Sequence, residues 1–216
     1  MTVTSKSGHP RENRQQRGNG FSRETSLRRA AGTREERWSV LIVTNGERTE
    51  LDYFKALKNS NEDWITDGKV TPKFVRGDPV AAVRRAATIQ ADNEYDVAWV
   101  VCDVDEYDVK AAVTEVAKYD RVELALSRPS FEVWLILHLG RGCPGFNNAA
   151  QATAHLGKLL PGWDKTALRF ADFSAGVFDA AKHAKALGEP PEANPSTAVW
   201  RVIESLHVAR DRPAAG

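Results

Sequence analysis

Two kinds of apolar pattern take turns along the chain from Trp38 onward. Val40, Leu41, Ile42 and Val43 form a short continuous run, the mark of a strand covered on both faces. Asn45-Gly46 then signals a turn, and Thr49 with Asp52 three residues later resembles a capping box that opens a helix carrying Leu51, Phe54 and Leu57. A second strand is predicted over Val70 to Val75, followed by Asp78 as N-cap, Pro79 at the first helical position, and a helix face of Val80, Val83 and Ala87. Ala98 to Cys102 reads as a third strand that ends in Asp103-Val104-Asp105. A helix through Val109, Ala112, Val113 and Val116 and a fourth strand over Val122 to Leu126 complete the order βαβαβαβ. Strands that alternate with helices imply an open parallel sheet with helices on both faces, whose sites lie beyond the carboxyl ends of the strands.

Phe131 to Leu139 is apolar almost all round and is predicted to be a buried helix. Beyond Gly140 the pattern is only helical: a loop to Gly145, helices over Ala149 to Leu160 and Phe173 to Leu187, and a last helix capped by Asn194-Pro195 and carrying Val199, Val202, Ile203 and Leu206. The expected organisation is an α/β domain over residues 38–140, a helical extension over 141–209 packed on it, and a frayed tail over 210–216.

Charge changes the picture at one end only. The 216 residues have a net charge of +1 and are 42% hydrophobic, enough for one sizeable core. Residues 1–37, however, hold nine Lys and Arg against four Glu and almost no large apolar side chains. Such a stretch cannot repay the entropy of ordering and is expected to be a disordered basic arm, with attraction to phosphates as its simplest use. No apolar h-region and no membrane-length apolar run is present, so a cytoplasmic protein with no membrane association is expected. Cys102 and Cys143 fit no metal-ligand spacing and are expected to stay reduced.

Candidate chemistry gathers where strands one and three end. Asp103 and Asp105 lie two apart in extended chain, which puts both carboxylates on one side where a divalent cation can bridge them. Glu106 and Asp108 add negative field. The bland alternative is acids that solvate a loop and cap the next helix. Glu47 and Glu50, after strand one, are candidate ligands or a base, or else first-turn acids that complement a helix dipole. Glu132, a carboxylate inside an apolar run, needs a partner if buried and is expected to point at the site or at a cation such as Arg128. His138 reads as a packed core histidine, and the absence of GxxxxGK[ST] excludes a P-loop.

The segments Val40-Leu41-Ile42-Val43-Thr44-Asn45-Gly46-Glu47-Arg48-Thr49-Glu50, Tyr53-Phe54, Asp103-Val104-Asp105, Leu124 through Leu135 and Asn194-Pro195-Ser196-Thr197 resemble, in wording and order, the RloB family. The resemblance implies a Toprim-like open sheet and a role near restriction-modification and phage-defence genes, as in abortive infection. Toprim nucleases and topoisomerases hold Mg²⁺ with a Glu after the first strand and a DxD after the third. Carried over, Asp103 and Asp105 match the DxD, but the position before the glycine is Asn45, an amide without charge or basicity. Glu47 or Glu132 is the expected substitute.

The implied function is a Mg²⁺- or Mn²⁺-dependent nuclease cutting DNA or RNA. In this reading Glu47, Asp103, Asp105 and Glu132 are catalytic, and Asn45, Glu47, Asp103 and Asp105 ligate metal. Arg48, Arg76, Arg128 and Lys165 contact phosphate or nucleic acid. Tyr53 and Tyr107 are expected to be structural. The alternative is a catalytically degenerate module that binds nucleic acid or a partner ATPase subunit in a defence complex; a homo-oligomer is a further option.

Overall fold

In the computed structural model the described residues are 38–60, 62–65, 68–104, 109–140 and 142–211, with side chains described up to residue 207. The expected basic arm, most of the expected tail and Asp105 lie outside them. The strands are β1 (Ser39–Thr44), β2 (Lys69–Phe74), β3 (Val97–Asp103), β4 (Val122–Arg128) and β5 (Ser196–Thr197). The helices are α1 (Thr49–Asn59), α2 (Pro79–Asp92), α3 (Val109–Val116), α4 (Glu132–His138), α5 (Ala149–Leu159), α6 (Val177–Leu187) and α7 (Val199–Asp211).

The sheet runs in the order β2-β1-β3-β4-β5, with the first four strands parallel. It is the open α/β sheet that the pattern predicts, and it is consistent with the Toprim-like fold that the resemblance implies. Register brings the carboxyl ends level: Thr44 lies opposite Phe74 on one side and Val101 on the other, and Asp103 opposite Ser127. The chain leaves β1 toward β2 and then returns to β3 on the opposite flank. The crevice between the ends of β1 and β3 is therefore the topological switch point, where open sheets of this kind place ligands.

Alternation along the strands divides the core in two. Val40, Ile42, Trp99, Val101 and Ala125 pack under α1 and α4 to α7, whereas Leu41, Val43, Ala98, Val100 and Cys102 pack under α2 and α3. Asp103 continues the series Trp99, Val101 and so belongs to the α1 and α4 face. On that face Tyr53 forms edge contacts with Phe54, Phe131, Trp134, His138 and Phe170 at centroid distances of 5.3 to 6.4 Å. His138 is the packed core histidine expected: Nδ1–H donates to the Trp134 carbonyl at 2.8 Å, which leaves Nε2 to accept from the Tyr53 hydroxyl at 3.1 Å. The outer strand β2 carries Lys69, Pro72 and Lys73, residues that blunt a sheet edge.

Five local expectations are corrected. The region beyond Gly140 is not only helical, because Ser196 and Thr197 add β5 antiparallel to β4 and Ser127 Oγ meets Thr197 Oγ1 at 2.8 Å. Two residues carry no amphipathic period, so pattern alone could not show them. Asn194-Pro195 accordingly leads into β5 rather than capping α7, and the Asn194 amide donates to the Phe146 carbonyl at 2.8 Å. Thr49 is not a cap: Arg48 holds that position without a side-chain bond, and Thr49 is the first helical residue. The helix expected from Phe173 starts at Val177, after two short 3-10 turns. Val113 does not join the buried face of α3 and is 46% exposed. Asp78 caps α2 as expected, accepting from the Ala81 N–H at 2.8 Å.

Candidate active site

Three carboxylates lie within electrostatic reach of one another behind the ends of β1 and β3. Asp103 closes β3, Glu132 opens α4, and Glu50 sits in the first turn of α1. As a residue Asp103 is only partly buried, yet its Oδ1 is shielded from solvent and has no hydrogen-bond partner. The charge resides on the oxygens, so their shielding decides the electrostatics. Burial first, and then the charges of Glu50 and Glu132, push the Asp103 carboxyl well above its usual range, with Lys165 and the Phe131 N–H pulling the other way.

Glu132 is 1% exposed. Ser130 Oγ donates to its Oε2 at 2.6 Å, and Oε1 lies 3.4 Å from Lys165 Nζ. That second contact is an ion pair by distance without the alignment of a hydrogen bond, so Oε1 keeps an unused lone-pair direction. Glu50 is 7% exposed, and its carboxylate lies over Gly46, so close that a Cβ there would overlap it. Burial chiefly, with help from Glu132, raises the Glu50 carboxyl; its own backbone N–H and Lys165 oppose the shift. Burial works against the Lys165 ammonium, but Glu132, then Glu50 and Asp103, outweigh it and raise its pKa.

Such a set has the donor chemistry of a hard divalent cation: buried oxygens in excess of available protons and cations. Among the described residues no three Asp, Glu, His or Cys side chains converge closely enough to form a ready coordination shell. The fit of Mg²⁺ rests on Asp103 Oδ1, which has no hydrogen-bond partner, beside Glu132 Oε1, whose one contact is the Lys165 ion pair.

The family model for RloB-like protein matches residues 40–206. The chain belongs to the RloB-like protein family. No curated protein and no solved structure matches it. For this RloB-like chain, no described helix is long and apolar enough to cross a membrane.

The structure brings together only some of the residues expected at the site. Asn45 and Asp103 lie at the same sheet edge, where the Asn45 N–H donates to the Val101 carbonyl at 3.4 Å. Glu47 is exposed, while Glu50, the acid three residues later, turns inward. From the sequence alone Glu50 reads equally as a ligand or base and as an acid complementing the helix dipole, and it is not in the expected catalytic set. The signal that identifies it is Gly46, four residues before it, whose lack of a side chain makes room for the carboxylate. Arg128 is not the cation beside Glu132: its guanidinium donates to the carbonyls of Pro191 and Glu192 and ties β4 to the segment before β5. Lys165 takes that place. Arg48 and Arg76 are exposed on the loops leaving β1 and β2 at the same edge. Ser130, which sequence reasoning missed, orients Glu132. Cys102 is buried, and its thiol is pushed far up by that burial and by Asp103, in keeping with a role in packing alone.

Proposed function

We propose that this RloB-like chain cleaves phosphodiester bonds of a nucleic acid, DNA or RNA, in antiviral defence, using Mg²⁺ or Mn²⁺ held by Asp103, Glu132 and Glu50. The observation that carries the reading is the Asp103 carboxylate, enclosed, unpartnered at Oδ1, and crowded by two further buried acids at the switch point of the sheet. Asp105, two residues on, completes the family's DxD. Bound there, the cation supplies polarisation of the scissile phosphate and charge neutralisation. Glu50, whose carboxylate lies over Gly46, adds a third acid to the set that would hold the cation. Glu132, fixed by Ser130, holds its charge in one orientation. Lys165, with its side chain 54% exposed, presents a positive charge on the open side of the cluster, and Arg48 and Arg76 flank the same edge for contacts along a phosphate backbone.

The test is cleavage of plasmid DNA and of total RNA with and without Mg²⁺. The wild type cuts one of them only with the metal, and Asp103→Ala abolishes both cleavage and metal binding; robust cleavage by Asp103→Ala would place the chemistry elsewhere. A second reading has its own observation, since Asn45 replaces the expected acid and no ready shell is formed among the described residues. In it the chain is a module that binds nucleic acid or an ATPase subunit, as monomer or homo-oligomer. Salt-dependent retention of nucleic acid with no divalent-dependent cutting, even with the ATPase subunit present, would favour that reading.

A further inference from the structure

Lys165 is not simply one more exposed lysine. It sits on the turn between α5 and the first 3-10 segment, and both of its neighbours on one side are anchored. Trp163 packs edge-on against Phe173 at 6.0 Å, and Asp164 Oδ1 accepts from the Thr166 N–H at 2.8 Å and from its hydroxyl at 2.7 Å. The side chain is thereby aimed at Glu132 Oε1, the oxygen that has no hydrogen-bond partner. Among the described residues it is the cation paired with this cluster, and its charge acts on all three acids.

We propose that Lys165 is a tethered counter-ion that stands in for the divalent cation in the metal-free protein, so that metal binding requires its displacement from Glu132. The inference rests on the reading of the three carboxylates as a metal site. A fixed ammonium and an incoming dication compete for the same oxygens, because each is attracted by the same negative charge and each repels the other. The turn at residues 161–169 then sets the cation concentration at which the site fills. Displacement also frees the ammonium to meet a phosphate on the open side, so the same side chain changes partner as the site loads.

The experiment titrates Mn²⁺ alone into the full chain and follows the free ion by electron paramagnetic resonance, comparing wild type with Lys165→Ala, Lys165→Arg and Asp103→Asn. Lys165→Ala should bind Mn²⁺ about three- to tenfold more tightly at low salt, a modest factor because the pair is half exposed and screened. Lys165→Arg, which keeps the charge, should stay near the wild type. Asp103→Asn should weaken binding in every background. Unchanged or weaker binding by Lys165→Ala, with wild-type binding intact, overturns the counter-ion role and leaves the metal site standing. Absence of Mn²⁺ binding in both wild type and Lys165→Ala overturns the metal site and the counter-ion together. A merely structural lysine would show itself as a lowered thermal midpoint with no gain in affinity, and that result also counts against the inference.

Discussion

Gly46→Ala adds one methyl group at the point where Glu50 reaches back over the turn after β1. A Cβ built there falls inside the contact distance of Cδ, Oε1 and Oε2 of Glu50, its three nearest atoms. The backbone is not in a conformation that needs glycine, so the fold has no reason to resist alanine. What must move is the far end of a flexible side chain, and it must withdraw by roughly 1.5 Å to restore ordinary contact. Misplacing a reacting group by that much costs about 10²-fold in rate, or about 2.7 kcal/mol of transition-state stabilisation. Stability should change by less than about 1 kcal/mol. Initial rates of Mg²⁺-dependent cleavage and a Mn²⁺ titration read the effect, with a thermal melt as control. Adding Glu50→Asp shortens the side chain by one methylene and should recover part of the loss, because the carboxylate then clears the new methyl. Full activity and unchanged Mn²⁺ affinity in Gly46→Ala would show that the position of the Glu50 carboxylate does not matter and would remove it from the site.

The buried acids also set a pH dependence. Asp103 and Glu50 have folded pKa values raised above 3.8 and 4.5, so the native state binds more protons than the unfolded chain between those values and the raised ones. Their contribution to the stability of the EDTA-treated protein should therefore fall as the pH climbs through that interval. The readout is the difference between Asp103→Asn and wild type: the variant should gain thermal midpoint relative to the wild type as the pH climbs, and excess Mg²⁺ should act on the wild type in the same sense; a difference that does not change with pH would contradict the crowding of charge. His138 behaves oppositely, since burial lowers its pKa from 6.5 to about 4 and stability should decline as the pH falls through that window. Its imidazole resonances should show no titration above about pH 5, and His138→Phe, which strands the Tyr53 hydroxyl, should cost about 1–3 kcal/mol in urea unfolding. Glu115, hydrogen-bonded by Arg84 at 2.9 Å and Lys118 at 2.7 Å, is held down to about 2. It contributes stability above 4.5 that is lost as the pH falls toward 2, and Glu115→Gln should remove that part of the acid limb without touching metal binding.

The alternation of apolar runs and helical faces is enough to locate β1 to β4 and every long helix, because each buries at least one full face and the period records it. Elements held by single contacts left no such trace. β5 is two residues with their backbone paired to Ser127 and Arg128, and the opening of α1 has no side-chain cap at all. At the site, Asp103 was legible since a strand end followed by acid is a local pattern, and Glu132 since a carboxylate in an apolar run demands a partner. Which cation answers Glu132 was not legible. Arg128 lies only four residues away, yet its guanidinium is drawn to two backbone carbonyls, while Lys165 arrives from 33 positions along the chain through a turn whose geometry no periodicity encodes. Glu47 and Glu50 are equivalent as letters after a strand. They part only when the helix starts at Thr49 and one of them falls on the inward side.

The aromatic packing under the acidic cluster explains why this edge can serve chemistry at all. Tyr53, Phe54, Phe131 and Trp134 pack together on the α1 and α4 face, the face to which Asp103 and Glu132 belong, and the inner oxygens of those two acids are shielded from solvent. In such surroundings burial first, and then a repulsion between like charges stronger than in water, raise two of the carboxyls, and the same low dielectric strengthens whatever cation relieves them. The sheet face therefore stores an electrostatic cost in the metal-free state, held in place by the burial of large side chains worth about 1.5–3 kcal/mol each. A surface acid pair after a strand would carry no such cost and no such selectivity. On this view Phe131→Ala should lower stability and also weaken Mn²⁺ binding, by letting water reach Asp103. If it lowered stability alone, with Mn²⁺ affinity intact, the enclosure of the carboxylates would be incidental to their function.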